Sequence, residues 1–150
     1  MDKQEVRDLL DKMGALGSSD SRSSFRSNST ANLFETMGSA INACALTERS
    51  ESKPELVLSL PGIDSYFAYN VALSAWMRFG ICETLGQEVS ASLSIKKNEK
   101  VVIVLDTYNE AIAQKIISFV ESKNAKVVAV LSLVGIKNYN YFFVFLYRKR

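Results

Sequence analysis

The sequence predicts an α/β fold, with a mostly parallel central sheet and helices on both faces. Three observations carry that expectation. The runs at residues 101–105 and 126–134 are continuously apolar rather than alternating, as strands covered on both faces must be. Between them Ile112, Ile116, Phe119 and Val120 recur at helical spacing. A third apolar run, residues 55–60, ends at Pro61-Gly62 and leads into another helical stretch, so strands and helices alternate along the chain.

At 150 residues the chain reads as a single domain, with N-terminal helices and a serine-rich loop in residues 1–50 and an α/β core in residues 51–150. A chain of this size buries roughly 70% of the surface that its unfolded form exposes, so no disulfide or metal staple is required. Its 47% apolar and 23% charged residues are ordinary for a soluble globular protein. A net charge of +2, with basic residues clustered only at Arg148-Lys149-Arg150, argues against a nucleic-acid partner. The chain has no histidine and only two cysteines, Cys44 and Cys82, without ligand spacing. That excludes the usual zinc sites and Ser-His-Asp or Cys-His catalysis, and leaves both cysteines as small core hydrophobes. The first residues, Met1-Asp2-Lys3-Gln4-Glu5, lack the apolar segment of a signal peptide, and no run approaches the ~20 apolar residues that span a bilayer. The expected location is the cytoplasm, with no membrane contact.

In chain order, Val6, Leu9, Leu10 and Met13 mark a short amphipathic helix over residues 2–13, stopped by Gly14. Residues 17–30 are serine-dominated and read as a loop with room for one edge strand, in which Arg22 and Arg26 are either solvated or turned to an anion. Phe34, Met37, Ile41 and Cys44 set a second helix within residues 31–46. After Pro54 comes the strand at 55–60. Asp64 is placed to cap a helix over residues 65–78, which Gly80 ends. Apolar residues lie nearly all round that helix (Phe67, Val71, Leu73, Ala75, Trp76), so it is expected to be sandwiched between the sheet and another surface. Strands at 81–85 and 88–95, separated by Gly86-Gln87, either pair as a hairpin or leave the first in the main sheet alone. Asn124 can close the helix after the 101–105 strand in the left-handed conformation. Residues 141–147 form a last, aromatic strand.

The 101–105 strand ends on Asp106 and is followed by the polar loop Thr107, Tyr108, Asn109, Glu110. In open α/β sheets ligands bind beyond the carboxyl ends of the strands, which places Asp106 either at a ligand crevice or in a capping role.

Three stations together, residues 56–62, 101–110 and 125–134, resemble a type I phosphoribosyltransferase, and most closely an orotate phosphoribosyltransferase. The pattern is Val101-Val102-Ile103-Val104, then Leu105-Asp106, a loop, a helix to Lys123, Asn124-Ala125, and the apolar run from Lys126; Leu9-Leu10-Asp11-Lys12-Met13-Gly14-Ala15-Leu16 is also similar to the family's opening helix. Loosely, the likeness spans residues 5–135. It implies a Rossmann-like sheet and candidate ligand-binding residues Asp106, Thr107, Tyr108, Asn109, Glu110 and Ala111, with Pro61 and Gly62 on the pyrophosphate loop.

The departures from the family pattern are chemical. The family sets paired acids against the ribose hydroxyls of phosphoribosyl pyrophosphate, and the first of the pair is Leu105 here. Its loop holds a phosphate on small residues and a helix N-terminus, whereas this chain offers Tyr108, Asn109 and the carboxylate of Glu110. Two like charges ~4 Å apart repel by about 4 kcal/mol at an effective dielectric of 20. Asp64 adds a further acid beside the pyrophosphate loop. The interval that should carry the orotate enzymes' basic catalytic loop reads Glu83-Thr84-Leu85-Gly86-Gln87-Glu88-Val89-Ser90, without a cation for the leaving group.

The resulting expectation is a protein that keeps the architecture without the reaction, with no catalytic residue, no metal site and no cofactor, Mg²⁺ being needed only if transfer survives. It would act as a binding, regulatory or assembly subunit, as a homodimer or a hetero-oligomer with an active paralogue, with Trp76 and residues 141–147 either at the interface or packed in the core. The alternatives are a divergent active transferase, drawing its cations from Arg22, Arg26 or a partner, and an α/β protein that binds a nucleotide or other small ligand for regulation.

Overall fold

The computed structural model describes residues 54–134 together with the isolated position Asp8. The helices expected at 2–13 and 31–46, the loop at 17–30 with Arg22 and Arg26, Cys44, and the strand at 141–147 with the basic residues after it lie outside the described residues.

Strands β1 (Leu56–Ser59), β2 (Arg78–Leu85), β3 (Glu88–Ala91), β4 (Lys100–Thr107) and β5 (Lys126–Val134) form one sheet in the order β3-β2-β1-β4-β5. Helix α1 (Ile63–Ala75) connects β1 to β2, and α2 (Glu110–Ser122) connects β4 to β5. The pairs β1–β2, β1–β4 and β4–β5 are parallel, and only the β2–β3 hairpin is antiparallel. The mostly parallel α/β sheet predicted from the apolar runs is therefore what the chain forms.

The two crossovers leave the centre of the sheet in opposite directions, and right-handed connections then put their helices on opposite faces. Packing agrees. One core joins Leu56, Leu58, Val101, Ile103 and Leu105 to Ala113, Ile116, Ile117 and Val120 of α2. The alternate residues Val57, Val102 and Val104 are equally buried, and by the pleat they face the other side, where α1 packs on β1 and β4 through Phe67, Ala68, Val71 and Ala72. A β-bulge at Val128, between the pairs Val101–Val127 and Val102–Ala129, lets Val127 and Val130 share the α2 face although three residues separate them.

Helix α2 ends as expected. Asn124 takes φ 59°, its N–H donates to the Glu121 carbonyl at 2.9 Å, and the N–H of Ala125 donates to the Val120 carbonyl at 3.3 Å. That pair of bonds is a Schellman closure, with Val120 and Ala125 both buried in the α2 core.

Helix α1 departs from expectation at both ends. It starts at Ile63, with Gly62 at the cap position (φ 95°), so Asp64 lies within the first turn and is mostly buried rather than capping. It stops at Ala75 because Trp76 enters the left-handed region (φ 56°) and the N–H of Met77 closes on the Ala72 carbonyl at 2.9 Å. Gly80, read as the helix stop, lies inside β2. Its missing side chain serves packing, since a Cβ there would sit 2.9 Å from Leu93 Cγ and 3.1 Å from Leu58 Cδ2. The outer face of α1 is not covered by a described element as a sandwiched helix would be: Leu73 is 61% and Trp76 96% exposed. Of the two readings of residues 81–95 the hairpin is the one that forms, around Gly86 (φ 61°), with β2 also pairing β1 in the main sheet, and β3 ends at Ala91 rather than at residue 95. The N–H of Ser92 still donates to the Ile81 carbonyl at 2.9 Å, and beyond it a β2 side chain holds the connection: the guanidinium of Arg78 donates to the Ser94 carbonyl at 2.8 Å and to Glu99 Oε1 at 2.6 Å. Cys82 is buried, as a small core hydrophobe should be, and burial pushes its thiol up to about 11.

Candidate functional site

The direction of the crossovers reverses between β1 and β4, which makes this pair the topological switch point of the sheet, the place where open α/β folds form a crevice. The last β1–β4 pair is Ser59–Val104, whereas β4 continues through Leu105 and Asp106 to Thr107, which pairs with Val134 of β5. That continuation raises β4 by roughly 10 Å above the end of β1. Both sequence-predicted stations, Pro61-Gly62 and residues 106–111, thus follow the carboxyl ends of two adjacent parallel strands, on either side of the notch left where β1 stops short of β4.

The loop expected over 107–110 is shorter than predicted. By backbone, Thr107 belongs to β4 and Glu110 to α2, leaving Tyr108 and Asn109 as the whole connection. Asp106 likewise lies within the strand, one residue from its end, rather than beyond it.

The residues between and beside these ends have assignments of their own. Leu105 is 1% exposed and belongs to the core shared with α2. Tyr108 and Leu60, one from each loop, are half-buried and pack against that same core, tying the loops to the sheet. Asn109 caps α2: its Oδ1 accepts from the N–H of Ile112 at 3.1 Å and its carbonyl accepts from Ala113 at 2.9 Å. One of the helix-terminal amides on which an anion would rest is therefore satisfied from within the chain. Glu110 and Ala111 are exposed in the first turn of α2, and Pro61 and Gly62 are exposed at the entry to α1.

In sequence the two loops and helix starts at this edge are acid-rich. The N-termini of both helices open toward it, and each carries an acid in its first turn, Asp64 in α1 and Glu110 in α2. Those carboxylates already complement the positive ends of the helix dipoles. Residues 60–65 and 105–112 hold three acids and neither lysine nor arginine. Among the described residues, no group of three His, Cys, Asp or Glu is placed to hold a metal ion, and no helix is long and apolar enough to cross a membrane.

A separate concavity of about 410 Å³ lies between the hairpin turn and α2, lined by Gln87, Val89, Gln114, Lys115, Ser118 and Phe119. No residue of the two switch-point loops lines it. Lys115, which reaches across to donate to the Gly86 carbonyl at 2.9 Å, pins the turn to α2. Sequence reasoning located the switch-point loops from their position after apolar runs. It gave no weight to Leu60, whose role appears only from its packing, nor to Tyr66 and Tyr69, whose exposure on α1 becomes visible once the inner face of the helix is known.

No protein-family profile and no curated protein sequence matches the chain. The fold does match solved structures. An adenine phosphoribosyltransferase superposes with a TM-score of 0.64 at 16% identity, covering 72% of this chain and 72% of that one. The adenine phosphoribosyltransferase of Trypanosoma brucei, determined with AMP, pyrophosphate and ribose-5-phosphate, gives 0.64 at 13% identity over 87% of this chain and 67% of that one. A hypoxanthine phosphoribosyltransferase of Staphylococcus aureus gives 0.56 at 13% identity over 78% and 71%. At these identities the likeness is one of fold.

Proposed function

We propose that this chain is a phosphoribosyltransferase-like protein, orotate-type in its sequence pattern, that has lost phosphoribosyl transfer and serves as a binding, regulatory or assembly subunit. The observation that carries this reading is Leu105. At the position where the sequence resemblance sets the first of two ribose-binding acids, the chain places a leucine 1% exposed in the α2 core. A side chain held there by packing accepts no hydrogen bond from a ribose hydroxyl.

Two further features support the loss. The β4–α2 connection of two residues is short for a phosphate cradle, and Asn109 spends itself on capping the helix. The β2–β3 interval, where the orotate pattern calls for a mobile basic loop, is a tight hairpin turning at Gly86-Gln87 with Glu88 after it. Pyrophosphate leaving from this edge would meet the exposed carboxylate of Glu110 instead of a cation.

The purine enzymes among the fold relatives favour one second reading, a divergent active transferase that uses Mg²⁺ and takes its missing cations from residues outside 54–134 or from a partner. Isothermal calorimetry with phosphoribosyl pyrophosphate and Mg²⁺ separates the two. The loss of transfer predicts no binding heat at millimolar ligand. A dissociation constant tighter than about 100 μM, or pyrophosphate release dependent on orotate, adenine or hypoxanthine, would overturn it.

A further inference from the structure

The fold gathers cations that the sequence scatters. Six of the seven lysines and arginines in residues 54–134 lie in or beside the amino ends of β2, β4 and β5, opposite the switch point, and only Lys115 stands apart. Lys100 and Lys126 are direct partners on the parallel strands β4 and β5, with Cα atoms ~4.8 Å apart and side chains on the same face. Lys96 and Lys97 open the turn before β4, which the N–H of Glu99 closes on the Lys96 carbonyl at 3.1 Å. Lys123 follows α2. The two turns are joined, since the N–H of Asn98 donates to the Asn124 carbonyl at 2.8 Å and the N–H of Lys126 to the Glu99 carbonyl at 2.9 Å. Five lysines therefore share one edge with the arginine Arg78.

Little at this edge neutralises the lysines. Arg78 is committed to Glu99 and the Ser94 carbonyl. Of the other acids here, Glu55 is exposed and spends a carboxylate oxygen on the N–H of Lys100 at 3.2 Å, and Glu121 is half-buried on α2. None of the five lysines forms an ion pair with a described residue, and Lys123 rests its Nζ 5.4 Å from the centre of the Phe119 ring. Lys96, Lys97, Lys123 and Lys126 are exposed, and Lys100 is half-buried. Like charges set opposite each other on neighbouring strands cost stability, so the Lys100–Lys126 pair is unfavourable for folding alone.

The chemistry of this edge calls for an anion, and its geometry for separate carboxylates. Phosphate is held best by forked guanidinium groups and helix N-termini. Neither is on offer: the one arginine is spent on Glu99, and both α1 and α2 bring their C-termini to this end. The turn Lys96-Lys97-Asn98-Glu99 has no apolar side chain to enter a bilayer. The chain itself does not hold a matching segment. Residues 135–150 carry four cations and no acid, residues 1–53 interleave eight acids with seven cations, and nowhere in the sequence do two acids stand together. This speaks against the chain's own remaining segments and against a second copy alike. We infer that the edge formed by Lys96, Lys97, Lys100, Lys123 and Lys126 is a docking surface for an acidic segment, a run of aspartate and glutamate, of a different protein. The surface gives the assembly role proposed above a partner chemistry and rests on that reading only in expecting a partner: it stands or fails on peptide binding, whereas the loss of transfer stands or fails on ligand titration.

The experiment titrates the full chain into a fluorescein-labelled glutamate peptide of about ten residues and follows anisotropy at ~20 mM and ~200 mM salt. The expected result is a dissociation constant below about 100 μM at the lower salt, weakened at least ~10-fold at the higher. Lys97→Glu with Lys126→Glu should weaken binding at least ~10-fold while far-UV dichroism matches the wild type; Lys96→Gln with Lys97→Gln, both in an exposed turn, provides a second variant should the first fold poorly. Arg148→Gln, Lys149→Gln and Arg150→Gln together should leave binding within about 2-fold. A peptide that stays free at about 1 mM protein would overturn the proposal. So would binding that is lost with the three C-terminal substitutions and kept in the edge variants. A thymidine oligonucleotide of equal charge, or phosphatidylserine vesicles, held at least ~10-fold more tightly through the same lysines would overturn it in favour of a nucleic acid or a membrane.

Discussion

The guanidinium of Arg78, at the start of β2, donates to the 3% exposed carboxylate of Glu99 at 2.6 Å, at the end of the sheet opposite the switch point. The second oxygen of Glu99 accepts from the N–H of Lys96 at 2.9 Å, and the other arm of Arg78 reaches the Ser94 carbonyl. One ion pair thus fastens the 92–99 connection beneath the sheet and fixes where β4 begins.

Breaking that pair from the arginine side leaves a buried carboxylate with only a backbone donor. Arg78→Met is expected to cost about 2–4 kcal/mol in urea unfolding, less than a fully buried pair because the guanidinium is a third exposed. Replacing both partners (Arg78→Met with Glu99→Gln) should recover part of the loss. A double variant no more stable than the single one would show that the carboxylate's isolation is not the cause.

Gly80 is required by close packing rather than by its backbone angles. Gly80→Ala puts a methyl 2.9 Å from Leu93 Cγ and 3.1 Å from Leu58 Cδ2, and overpacking of this kind costs about 1–3 kcal/mol. Because Leu93 is only half-buried, Leu93→Ala should relieve most of the strain. A thermodynamic cycle over the two substitutions checks this, and additive losses would contradict it.

Trp76→Gly is expected to leave the isolated monomer as stable as the wild type or more stable, by up to about 1 kcal/mol, since glycine takes the left-handed conformation without the Cβ penalty. Chemical denaturation at concentrations low enough to suppress association tests it. A clear loss of stability would show that the indole packs within the chain.

Asn109→Ala removes the cap from α2 and should cost about 1 kcal/mol, with Asn109→Ser and Asn109→Asp retaining most of it. Melting temperatures across the three variants decide the matter. If Asn109→Ala proved neutral, the cap would not be the reason this residue stands between β4 and α2.

Cys82 ties stability to alkaline pH. Its thiol is pushed up to about 11 by burial, against 9.0 for the free group. The unfolded chain therefore releases this proton first, binds fewer protons than the native state above pH 9, and becomes relatively more stable. The contribution is fully present below pH 9 and is lost as pH rises toward about 11. Cys82→Ala, measured against the wild type in urea at pH 8 and pH 10.5, should show a flatter decline. In a Cys44→Ser background, native protein should also react slowly with a thiol reagent at pH 8 and quickly in denaturant.

The order of strands and helices from Leu56 to Val134 was legible in the residues, because continuous apolar runs and 3.6-residue spacing are local signals of burial. Asn124 as the left-handed stop and Gly86-Gln87 as the hairpin turn were legible for the same reason, since each is a conformational preference of the residue itself. The extra residue at Val128 was not, because a bulge is visible only against the partner strand. Gly80 illustrates the limit: its local meaning is a helix stop, and only Leu58 and Leu93, brought beside it by the sheet, turn it into a packing requirement.

The candidate site divides the same way. The residues alone determined which loops follow the apolar runs and that Asp64, Asp106 and Glu110 fall in or beside them, because charge and position after an apolar run are properties of the chain. Tertiary structure decided what the neighbouring residues do: Leu105 is locked into the α2 core, Asn109 is committed to Ile112, and the outer stripe of α1 faces outward. Those outcomes depend on which face of a strand or helix meets another element, and that is settled only when distant segments pack together.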